Sequence, residues 1–345
     1  MRPPGRPKLI AVGFDLAHGP SPMVRSVSAP ILQPGAEPPL EPDGDAHEHA
    51  DDPLLVVRSP TRIALRRLRH DKVAIGSCAV IVFMALLAIC APLIAWATGH
   101  PPSHQDLIHG LSPDGIPLGP NRHYLLGTDD LGRDILVRIA YGARVSLLVG
   151  VVATGVSIVV GVVIGLVAGF YGRIVDTVLS RFMDVVLSLP YLILAIALVS
   201  LVGPSLWISI GVIAFFSWAT VGRVVRGQTL ALREREFVEA ARSLGASGPQ
   251  LMFGEILPNV MAPVIVYATL LVPSAIVFES TLSFLGLGIV PPTPSWGNML
   301  SESLNFFEVA WWFVVFPGAA LLLTTLAFNL LGDSVRDAFD IGTER

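Results

Sequence analysis

Few side chains in this sequence could do chemistry, and they are scattered. Glu279 stands inside the apolar run 262–285, where an ionisable group costs several kcal/mol unless it is paired or faces water. It reads either as a lining of a solute path or as a structural hydrogen-bond or ion-pair partner of a neighbouring helix. Asp184, near the edge of another apolar run, reads as structural. His100, His104, Asp106, His109 and His123 share one polar segment, and imidazole with carboxylate suits nickel or zinc. Their spacings match no recognised ligand pattern, so no metal site is assigned. Arg133, Asp134 and Arg138 read as interlocked charges steering a helix, with contact to an external binding protein as the alternative. No G-x-x-x-x-G-K-[ST] phosphate loop occurs, and the only lysines, Lys8 and Lys72, do not follow glycine. A membrane-embedded enzyme would need a converging nucleophile, base or metal set, and none is legible.

The elements that would position these residues are apolar. Hydrophobic residues make up 52% of the 345 and charged ones 14%, with a mean hydropathy of +0.66, far from a soluble domain. The formal charge of −4 leaves no basic surface for nucleic acid. Spans of about 20 residues are expected at 73–97, 145–168, 183–202, 206–222, 262–285 and 309–331, giving six transmembrane helices. Both cysteines, Cys78 and Cys90, fall in the first run, ~18 Å apart along a helix and too far to bridge. With the N-terminus inside, segments assigned to the cytoplasm from Thr61 onward hold fourteen Lys or Arg against four outside. Residues 1–60 hold twelve prolines and no apolar signal segment, a composition expected to give a disordered cytoplasmic tail. Residues 61–345 are then one membrane domain.

Prolines 190, 204, 273 and 317 interrupt the spans, as happens where neighbours or a lined cavity satisfy the freed backbone groups. Gly155, Gly161, Gly165 and Gly169 have small-xxx-small spacing and read as a close-packing face.

The longest cytoplasmic loop, 223–261, predicts two helices around a turn. Leu230, Phe237, Ala241 and Leu244 recur at helical spacing as one apolar stripe, with charges on the other faces. Gly245 follows at the position where a left-handed residue commonly ends a helix. Ser247 or Gly248 then fits an N-cap, and Pro249 a first turn.

Glu239-Ala240-Ala241, three residues, Gly245, and then Ile256-Leu257-Pro258 resembles the EAA loop of permeases in binding-protein-dependent ABC importers. Glu255 stands where that family commonly has Ile, a minor shift. Two further stretches, Leu126 to Leu147 and Glu279 to Leu300, resemble the C-type dipeptide, oligopeptide and nickel permeases. With 183–190 added, the resemblance covers about 61–340.

The resemblance implies an all-α membrane protein: a six-transmembrane-helix type I ABC importer permease with a cytoplasmic EAA coupling loop. In that family the loop's short helix sits in a groove on a separate ATPase, a role it implies here for Glu239, Ala240, Ala241, Gly245, Leu257 and Pro258. It further implies import of peptides, with nickel as the alternative solute, across the plasma (inner) membrane. The implied partners are a second, B-type permease, two ATP-binding subunits that hold the ATP and Mg, and an extracytoplasmic substrate-binding protein. This chain itself would carry no cofactor and catalyse nothing. A non-transporting scaffold would usually carry a further signalling domain, for which the segment after Leu331 is too short.

Overall fold

The computed structural model describes residues 65–339; the Pro-rich stretch 1–60 lies outside the described residues. After a helical turn at 65–68, ten helices follow in order among the described residues: α1 Lys72–Ile89, α2 Ala91–Thr98, α3 Ile135–Tyr171, α4 Arg173–Ser188 and α5 Tyr191–Val202, then α6 Leu206–Leu232, α7 Glu236–Ser243, α8 Gly248–Phe284, α9 Trp296–Ser303 and α10 Trp311–Phe339. Among the described residues no strand forms, only isolated bridges in the segment between α2 and α3.

Side-chain caps set where the helices begin. Asp134 accepts the Leu136 amide at 2.8 Å and starts α3; Ser205 accepts from Ile208 at 3.2 Å and starts α6. Five helices, α1, α3, α6, α8 and α10, are long and apolar enough to cross a bilayer. Most overrun the expected spans, so much of 223–261 is the end of α6 and the start of α8 rather than loop.

The stretch 183–202, expected as one span, is not a single helix. It is divided between α4 and α5, which meet at 83°. Leu189 is extended (φ −73°, ψ 138°) because Pro190 disfavours the helical conformation in the residue before it. The twelve residues of α5 rise only ~18 Å, short of a bilayer core, so a sixth crossing needs both pieces.

α3 and α6 run parallel along a glycine face. A Cβ on Gly161 would come within 2.6 Å of Val221, one on Gly165 within 2.6 Å of the Gly222 carbonyl, and one on Gly169 within 2.6 Å of Thr229. Gly155, in the same series, faces open space and takes no part. α8 returns antiparallel, and α10 and α1 close the bundle around the buried Trp296, Phe313 and Ile276.

Candidate functional site

The short helix α7 hangs from the bundle by one residue. Val238 is fully buried among Leu251, Met252 and Ile256 of α8 with Val225 of α6 and Leu166 of α3. The helix ends as the loop sequence predicts: Gly245 has φ +90°, its amide donates to Arg242 O at 3.0 Å, and the Ala246 amide donates to Ala241 O at 3.1 Å. Ser247 caps α8, its amide and hydroxyl both donating to Gln250 Oε1 at 2.8 and 2.9 Å.

The expected stripe needs correction. Leu230 belongs to α6, and the chain breaks at Arg233-Glu234-Arg235, which resets the helical phase. Val238 is therefore the anchor, with Ala241 half-buried beside it, while Phe237 is 40% and Leu244 90% exposed. Glu239 and Ala240 are exposed on the same short helix. Leu257 is half-buried and Pro258 exposed; they follow six residues of wider π-helical turns, Leu251–Ile256, inside α8. Val238 was legible only as one more apolar residue three before Ala241.

Glu279 lines no open path in this chain. It is fully buried near the C-terminal end of α8, where Ser146 of α3 donates to it at 3.1 Å and Ser283 at 2.6 Å. Ser283 Oγ in turn accepts the Ile289 amide at 3.0 Å. Of the two roles open to it in sequence, the geometry is that of the structural hydrogen-bond partner. Asp184 pairs with Arg223 of α6 at 2.6 Å.

Among the described residues no histidine joins a cluster of three metal-ligating groups. His100 Nδ1 lies 2.9 Å from Asp134, the cap of α3, and its ring stacks on Tyr124 with centroids 4.7 Å apart. His109 lies 3.4 Å from Asp106, whose other oxygen accepts the Tyr124 hydroxyl at 2.9 Å. Asp129, Asp130 and Glu302 come together, but Arg133 and Arg138 already supply the opposing charge: Arg133 Nε reaches Asp129 at 2.6 Å and Arg138 reaches Glu302 at 2.7 Å. Burial, with Asp129 and Glu302 alongside, pushes the Asp130 carboxyl above its ordinary range despite those arginines. The network ties the segment before α3 to α9 through Arg133 and Glu302, 169 residues apart.

At the α4–α5 break lies a cavity of about 250 Å³, lined by Leu189, Tyr191, Phe216 and Phe278 with the hydroxyls of Ser217 and Thr220 among them. Sequence reasoning missed it, because the bend that opens it brings together residues from four helices. The cavity offers a largely apolar wall with two hydroxyls to a small solute.

An apolar bundle with a broken crossing, a cavity at the break and a short helix tied to the spans at one end is the architecture of a polytopic membrane protein. Residues 161–345 match the family described as binding-protein-dependent transport system inner membrane component, and residues 59–113 the N-terminal TM domain of oligopeptide transport permease C. The chain is 42% identical over 291 residues to the di/tripeptide transport system permease protein DppC of Pseudomonas aeruginosa, covering 84% of this chain and 95% of that one. It is 42% identical over 283 residues to the oligopeptide transport system permease protein OppC of Escherichia coli K12, covering 82% and 91%. The chain belongs to the binding-protein-dependent transport permeases, as a multi-pass membrane subunit.

Proposed function

We propose that this permease subunit forms half of a path for peptides, pairing with a second permease, and that two separate ATPases drive it by docking on α7. An extracytoplasmic binding protein delivers the solute, and the N-terminus is cytoplasmic, in line with the fourteen-to-four basic asymmetry. Peptide as the solute is carried from the relatives' names.

The observation that carries the reading is the construction of α7. Phe237, Glu239, Ala240 and Leu244 are presented outward on a helix whose other side is fixed by Val238 to α3, α6 and α8. A partner seated on that outward side pushes directly on three spans, and small Ala240 lets it approach closely. Gly245, Leu257 and Pro258 set the angle at which the helix is held.

Purification in mild detergent from the native cell, with quantitative mass spectrometry, tests this. A second permease and one or two P-loop ATPases should co-purify near stoichiometry, and Leu244→Asp should lose the ATPases while keeping the second permease. A chain that emerges alone sinks the coupling role.

A further inference from the structure

Along α4 and α6 a second cavity follows the one at Leu189, on the side towards α7. Phe216 and Thr220 line the apolar cavity, and Arg223, at the next helical step on the same stripe of α6, lines a second cavity of about 400 Å³. On α4 the same succession holds: Leu187 lines the first, Asp184 and Ser180 the second.

The second cavity is charged where the first is apolar. Asp176, Ser180, Arg181, Asp184, Arg223 and Arg226 line it, so three guanidinium groups face two carboxylates. Arg226 is satisfied, with Nε and Nη2 both donating to Asp176. Arg223 donates to Asp184 through one nitrogen, and the two side chains are 55% and 51% exposed, so water competes for the pair. Arg181 makes no hydrogen bond or ion pair among the described residues.

We propose that Arg181 and Arg223 form an anion site that takes the carboxylate of the transported solute as it leaves the apolar cavity. Asp184 is the competing acceptor, holding Arg223 when no solute is there. A guanidinium fork engages a carboxylate with two parallel bonds, and the spare donors of Arg181 and Arg223 are the groups free to do so. The ligand class is a solute with a free carboxylate, such as a peptide C-terminus, and the inference rests on the peptide-permease reading above.

The test uses the whole transporter with its co-purifying subunits and binding protein, reconstituted in parallel in phosphatidylcholine vesicles and in vesicles that also contain phosphatidylglycerol, with ATP-driven uptake of labelled tri-alanine as the readout. Arg181→Gln with Arg223→Gln should lower uptake about tenfold or more. Arg181→Lys with Arg223→Lys should retain most of it, and Asp184→Asn, which removes the competing acceptor, should raise it. Where the double Gln variant fails to assemble, Arg181→Gln alone, which breaks no contact, should still lower uptake. Unchanged uptake in the Gln variants overturns the site. So does an Asp184→Asn loss equal to theirs, which marks a structural clamp, or a deficit confined to vesicles containing anionic lipid, which marks a headgroup site. A wild-type complex that takes up no tri-alanine overturns the peptide reading and this site with it.

Discussion

Glu279 on α8 accepts the hydroxyl of Ser146 on α3 at 3.1 Å, joining two spans 133 residues apart at one end of the bundle. Through Ser283 and the Ile289 amide the same carboxyl also holds the chain between α8 and α9. Removing it leaves buried hydroxyls without a partner.

Glu279→Ala should therefore destabilise the subunit by ~2–3 kcal/mol, and Glu279→Gln, which keeps one acceptor oxygen, by less. Thermal unfolding in detergent followed by circular dichroism gives the comparison. Both variants melting with the wild type would show that the bond network is idle.

At Gly245 the constraint is the backbone alone. A Cβ placed there would meet no atom within 4 Å, so the cost of a side chain comes from φ +90° rather than from a clash. Gly245→Val should abolish uptake while the protein stays in the membrane at normal abundance, because α7 ends at the wrong angle. Gly245→Asn, which tolerates positive φ better, should keep part of the transport. Normal uptake by the Val variant would remove α7 from the coupling route.

The glycine face makes a paired prediction. Gly165→Ala must push α6 away by its backbone at Gly222 and should cost ~1–3 kcal/mol. Gly155→Ala meets nothing within 4 Å and should be neutral or stabilise by up to ~1 kcal/mol through helix propensity. Melting temperatures of the two single variants, measured side by side, check this.

Tyr124 and Asp106 give a pH dependence. Burial, and then the bond to Asp106, raise the Tyr124 phenol from 10.0 to about 12. The His109 amide first, and then the Tyr124 hydroxyl, hold the Asp106 carboxyl below its ordinary value. A phenol with a raised value is favoured in its neutral form by the fold. Its contribution is thus whole below pH 10 and disappears between pH 10 and about 12. Asp106 acts at the other limb: its contribution is present above the ordinary carboxylate range and is lost as pH falls through the depressed value. Tyrosinate absorbance should show a phenol titrating above pH 10 that Tyr124→Phe lacks. A wild-type titration identical to that variant's, less one ordinary tyrosine, would refute the pairing.

The sequence by itself determined the class of molecule. Apolar runs long enough to cross a bilayer, and the Glu239 to Pro258 pattern with Gly245 at its turn, depend on composition and local spacing, and both are legible along a single chain. Gly245 was readable because a left-handed C′ residue is a local requirement of the helix that precedes it. Tertiary structure decided the rest. Pro190 announced a break in sequence, but the 83° bend and the cavity it opens depend on how α4 and α5 pack against α6 and α8. Of the four glycines on α3, three meet α6 and Gly155 does not, since it lies six residues before Gly161, out of the four-residue register in which Ser157, Gly161, Gly165 and Gly169 face α6. Glu279 could have faced a path or a neighbour; within this chain it meets Ser146, which approaches from another helix. Local rules fix what each segment is, whereas a side chain's role is set by what lies opposite it, and that partner comes from far along the chain.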